Sequence, residues 1–133
     1  LNIGSMSSIV PAPGLAVYGA TKQAVLAYSL SLAGELRREN RAITVSTLCP
    51  DAMAGEMTNA VAHEDAASIL FSSSEMLSLD RVADEAVALI AKPRLVRSIP
   101  SVRAALAHVF RPFPRIGLPL LEQFAKLGRR RQH

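Results

Sequence analysis

A phenol and an ammonium one helical turn apart can move a proton. Tyr18 and Lys22 stand in the stretch YGATK, and on a helix positions i and i+4 share a face. An ammonium there favours the ionised form of a phenol, whose ordinary pKa is about 10. Such a phenol can exchange a proton with an alcohol or carbonyl oxygen, which carbonyl reduction requires when hydride arrives from a cofactor. The pair alone is weakly specific. At ordinary residue usage Y-x-x-x-K occurs by chance in roughly one chain in five of this length. A half-buried tyrosine beside a snorkelling lysine would also serve packing alone. The neighbourhood sharpens the signal. Ser5 precedes Tyr18 by thirteen residues, within NIGS, and a Pro/Gly loop separates the two. A hydroxyl at a strand end can donate to the same substrate oxygen that Tyr18 protonates, orienting it and stabilising developing negative charge. The ends of parallel strands are where open α/β folds place ligands.

These side chains need elements to hold them. Residues 1–5 read as the end of a buried strand, and residues 6–14, MSSIVPAPG, as a loop. From Leu15 to Asn40 apolar residues recur at three- and four-residue steps without proline, which predicts one long helix. Its end is basic, and Asn40 suits a left-handed cap. Residues 42–49, AITVSTLC, are rich in β-branched side chains and predict a strand that Pro50 stops. Strand, helix and strand imply a crossover in a parallel sheet. Further on, short helices are expected over 55–62 and 64–72, a clear helix over 79–91 and a final strand over 94–99. Amphipathic helices over 101–110 and 115–128 flank Arg111-Pro112-Phe113-Pro114. The division expected is residues 1–100 for the catalytic sheet and 101–133 for the terminal helices.

Composition narrows the partners. The chain has 133 residues, half of them hydrophobic, enough for one packed core. Aromatics make up only 5% and Trp is absent, poor material for stacking on bases, so no nucleic-acid partner is expected. Cys49 is the single cysteine; it excludes an intrachain disulfide and a cysteine-based zinc site, and it fits a reducing, cytoplasmic compartment. On an apolar strand end it reads as a small buried hydrophobe. His63, His108 and His133 are too widely spread for a metal-ligand pattern, so no metal is expected. No apolar run reaches the roughly 18 residues of a membrane span. Lys126, Arg129, Arg130 and Arg131 crowd the last eight residues, where cations suit the end of the last helix. That helix is expected to pack on the core; a subunit contact or a membrane surface is the alternative.

From Asn2 to Pro50 the sequence resembles the catalytic segment of the short-chain dehydrogenase/reductase family. The family pattern is N-[ILV]-[SG]-S, then Y-x-x-[ST]-K thirteen residues after the serine, then a strand ending in Pro-Gly. The chain has NIGS, YGATK and TLCPD. The resemblance implies an α/β fold, the C-terminal half of a Rossmann-like, doubly wound parallel sheet in three layers, α/β/α and incomplete. It implies NAD or NADP as cofactor and a small-molecule alcohol or carbonyl as substrate. Ser5 would orient the oxygen, Tyr18 would act as acid/base, and Lys22 would support it and hold the nicotinamide ribose. Pro50, Asp51 and Met53 would lie along the nicotinamide. Met53, Met57, Met76 and Leu77 would make an apolar mouth, suggesting a hydrophobic substrate. The helix over 15–40 resembles the one through which family members form homo-oligomers.

The sequence also departs from the family. No glycine-rich cofactor loop occurs, the asparagine of the family's tetrad is absent, and the chain opens on Leu1 in the middle of a strand. These features lead us to expect a fragment that neither binds the cofactor tightly nor turns over alone. A remnant serving only association is the competing expectation. Asp51 replaces the usual glycine and brings a negative charge, and Gly55 stands where a threonine is common, with Thr58 three residues on.

Overall fold

The structure is a computed structural model and describes residues 1–132. Three parallel strands, β1 (Asn2–Ile3), β2 (Thr47–Pro50) and β3 (Val96–Ile99), lie side by side in that order. Asn2 is level with Thr47 and Ile3 with Leu48; Thr47 to Pro50 are level with Val96 to Ile99. The long helix α1 (Ala16–Arg38) carries the chain from β1 to β2, and α2 (Glu56–Ala60) and α3 (Leu79–Ala91) lie between β2 and β3. Two helices follow the sheet, α4 (Ser101–Phe110) and α5 (Pro114–Gln132).

β2 is buried from end to end, as a central parallel strand must be. Its side chains alternate between two cores. Cys49 joins Met6, Ile9, Val10, Leu26, Ala104 and Ala107, which places α1 and α4 over one face. Leu48 joins Leu77, Leu89 and Ile99, which places α3 over the other. The result is a three-layer α/β/α arrangement, part of a Rossmann-like fold. Residues 101–132 share the first core through Ala104 and Ala107, and α5 lies on the segment Asp65–Ser72. There Gly128 meets the Ser68 carbonyl so closely that no side chain would fit.

The ends of α1 follow their sequence. Gly14 takes φ +88 beside the Ala66 backbone, a conformation and a gap that suit only glycine. At the other end Asn40 takes φ 53, and Arg41 N–H donates to Leu36 O at 2.9 Å while Asn40 N–H donates to Arg37 O at 3.2 Å. That paired capping is the Schellman arrangement, with asparagine in the left-handed position.

Four local expectations change. The strand expected over 42–49 forms only from Thr47, because β1 has two residues and β3 begins at Val96, leaving 42–45 without ladder partners. Pro50 is the last strand residue rather than the stop before it. Alternation aims its ring nitrogen toward β1, where the chain has left the sheet, and Asp51 N–H still donates to Ile99 O at 2.9 Å. The loop over 6–14 contains a 3₁₀ turn, Met6–Ser8, and the helix expected over 64–72 is a 3₁₀ segment, Asp65–Ser72, lying against α5.

Candidate active site

Parallel strands end on the same side of a sheet, and the residues just past β1 and β2 meet there. Ser5 follows β1 at the place that continued register would set against Pro50. It caps the 3₁₀ turn: its Oγ accepts from Ser7 N–H at 3.2 Å, and its own N–H donates to Ser8 Oγ at 3.0 Å. Accepting leaves the Ser5 hydroxyl proton free to be donated. Ser8 then links the turn to α1, donating from Oγ to the Lys22 carbonyl at 2.8 Å. Gln23 adds a 3.4 Å bond from Nε2 to Ser7 O. Farther down the strand, Asn2 Nδ2 donates to Ser29 Oγ at 2.9 Å. The serine loop is therefore fixed to the turn of α1 that carries Lys22.

Lys22 turns back across the strand. Its Nζ donates to Ile3 O at 3.2 Å and stands 5.8 Å from the centre of the Tyr18 ring. Asn2 and Gly4 donate to β2, so Ile3 directs its backbone groups to the outer edge, where the ammonium caps a carbonyl that the sheet leaves unpaired. Lys22 keeps two further protons to donate. Tyr18 is 39% exposed, so its ring is open to a ligand. The structure brings Tyr18 and Lys22 together, and ties Ser5 to the same helical turn through Ser8.

Pro50, Asp51 and Met53 line the segment leaving β2, but their contacts run the other way. The Asp51 carboxylate pairs with Arg103 Nε at 2.6 Å, so its charge does not stand free at the site. Arg103 also donates to Ser72 Oγ at 3.0 Å and lies over the Phe124 ring. Met53 bridges to Leu77, and its carbonyl accepts from Thr58 Oγ1 at 2.7 Å. The Thr58 hydroxyl is thus engaged in closing its own loop.

Cys49 lies beneath the serine turn, fully buried. Burial pushes its thiol up; the Ser5 backbone, the Ser8 hydroxyl and the Lys22 charge pull the other way with less effect. Gly4 is required here, since a methyl group on it would stand 2.9 Å from both Cys49 Sγ and Ser8 Oγ. Sequence reasoning passed over Ser8 and Arg103. Ser8 carries a faint signal, a second serine three residues after a capping serine. Arg103 carries none, because its partner Asp51 is remote in sequence.

The family model for short chain dehydrogenase matches residues 1–66. Over that segment the chain belongs to the short-chain dehydrogenase family, whose members are oxidoreductases. No curated protein and no solved structure matches the chain. Among the described residues no helix is long and apolar enough to cross a membrane, and no three His, Cys, Asp or Glu side chains group to hold a metal ion.

Proposed function

We propose that this chain carries the proton-handling centre of an NAD(P)-dependent oxidoreductase that interconverts an alcohol and a carbonyl. The observation that carries the reading is the placement of Lys22, held on the Ile3 carbonyl and 5.8 Å from the Tyr18 ring. A bound nicotinamide would supply the hydride to the carbonyl carbon. Tyr18 gives its hydroxyl proton to the carbonyl oxygen, and takes one back from an alcohol in the reverse direction. The Lys22 ammonium stabilises the phenolate that remains. Ser5 donates its hydroxyl proton to the same oxygen and holds it in place while negative charge grows.

The donor set suits the cofactor. The two protons that Lys22 keeps match a pair of ribose hydroxyls. The chain contains no glycine-rich loop for the pyrophosphate, so its own residues would hold only the nicotinamide end of the cofactor. Pro50, Asp51 and Met53 would lie along the nicotinamide, with the Asp51 carboxylate turned away onto Arg103. Met53, Met76 and Leu77, half-buried or buried around that segment, favour a hydrophobic substrate. The lone reduced Cys49 supports a cytoplasmic setting.

Two copies would meet through α1. Val17 and Tyr28, eleven residues and about three turns apart, are exposed on one face of it. Sedimentation should give a defined dimer, and Tyr28→Glu should dissociate it; a monomer at all concentrations would refute the contact.

The test of the chemistry is carbonyl-dependent oxidation of NADH or NADPH by the chain joined to its cofactor-gripping half. Activity is expected to fall about 10²- to 10⁴-fold in both Ser5→Ala and Lys22→Met. Full activity in either variant would remove that residue from the mechanism.

A further inference from the structure

Residues 101–132 combine charge and apolar surface in a way the proton chemistry does not use. α4 buries Ala104 and Ala107 and leaves Val102, Ala105, Leu106 and Val109 in solvent, at i, i+3, i+4 and i+7. Val102 is 81% exposed. The apolar display continues past the helix with Phe113 and then Ile116, which is 62% exposed. Leu106 and Leu120 line a shared groove between α4 and α5. Apolar side chains displayed together in this way mark an interaction site.

Charge shows what covers it. Residues 1–100 hold eight Lys and Arg against ten Asp and Glu, whereas residues 101–133 hold seven against one, Glu122. Arg103 is paired with Asp51, and Arg131 donates to the Ser72 carbonyl. Arg111, Arg115, Lys126, Arg129 and Arg130 are exposed and form no ion pair among the described residues. A second copy presenting this face would bring like charges together. A nucleic acid would satisfy the cations and leave the apolar stripe in water. An anionic bilayer satisfies both, and neither helix is long and apolar enough to cross one.

We propose that the α4–α5 hairpin seats the protein on the surface of an anionic membrane. Val102, Val109, Phe113 and Ile116 enter the boundary between headgroups and acyl chains, and the five free cations meet lipid phosphates. The hairpin is anchored to the catalytic sheet by the Asp51–Arg103 pair, so the site would be held near the lipid surface.

The chain contains no Trp, so Val109→Trp provides a single reporter. The 133-residue protein carrying it would be mixed with vesicles of phosphatidylcholine alone or with added phosphatidylglycerol. The expected result is at least tenfold tighter binding to the anionic vesicles, a blue shift of the Trp emission on binding, and weakening by salt. Arg111→Glu with Arg115→Glu should lower binding at least tenfold, and circular dichroism should show the fold retained. If those variants unfold, the reporter's shift in the otherwise unchanged chain still decides. No binding, or binding without a blue shift, overturns the proposal. Heparin binding as tight as vesicle binding would reveal a general polyanion site instead, and a blue shift that grows with protein concentration without lipid would reveal self-association.

Discussion

Ser8 holds Ser5 in place through a single hydroxyl. Its Oγ accepts from Ser5 N–H and donates to the Lys22 carbonyl, so one buried atom joins the serine turn to the helix of Tyr18 and Lys22. Ser8→Ala leaves the buried Ser5 N–H unsatisfied and removes the tie to α1, and should cost about 1–3 kcal/mol in urea unfolding. It should also lower turnover, because Ser5 loses its fixed backbone; an unchanged stability would show that the link contributes nothing. Gly4 tests the packing beneath. Gly4→Ala forces a methyl group against Cys49 and Ser8 and should destabilise by about 1–3 kcal/mol. Adding Cys49→Ala should restore part of that loss, and strict additivity of the two changes would mean they do not meet. At this scale the spacing of Ser5, Tyr18 and Lys22 singled them out as candidates. The sequence hinted only faintly at Ser8 and not at all at Arg103, whose roles depend on which elements pack together.

At the scale of elements, periodicity located helices well and ladders less well. The long helix, its Asn40 cap, the helix at Leu79–Ala91 and the final strand all stand near their expected places. The β-branched run over 42–45 misled because a strand needs neighbours, and β1 and β3 are too short to reach it. The short helix expected over 64–72 forms as Asp65–Ser72, lying under α5 in tighter 3₁₀ form. Two ion pairs bind elements together. Glu85 on α3 takes two bonds from Arg97 on β3, at 2.8 and 2.9 Å. The Arg97 hydrogen bond is the chief cause that holds the Glu85 carboxyl below its ordinary value. A lowered folded value means the pair stabilises at neutral pH, and that its contribution fades as pH falls through the carboxylate range. Glu85→Gln should cost about 1 kcal/mol or less at pH 7 and flatten the acid limb of stability against pH. An acid limb identical to that of the unaltered chain would contradict it. Arg103→Met removes the tie between α4 and the loop after β2. It should cost about 1–2 kcal/mol, between an exposed and a buried pair.

The whole molecule has two sides of different character. One is the carboxyl end of a parallel sheet, where a serine turn and α1 bring a hydroxyl, a phenol and an ammonium to one region. The other is a basic helical hairpin with an apolar stripe. Both cores run through β2, so neither side can shift without disturbing Leu48 or Cys49. The α/β class was legible because alternating strand and helix periods admit few topologies. The joining of residues 101–132 to the first core was not, since Ala104 and Ala107 look like any helical alanines until their neighbours are known.

The central claim is that Tyr18 transfers the proton while other groups hold the substrate and cofactor. Tyr18→Phe removes one oxygen and leaves the ring, the Lys22 contact with Ile3 and the serine turn in place. The decisive measurement is kcat and cofactor affinity for this variant beside the unaltered protein, each joined to its cofactor-gripping half. The account predicts a loss in kcat of about 10²- to 10⁴-fold with cofactor affinity unchanged. An unaltered kcat would contradict it.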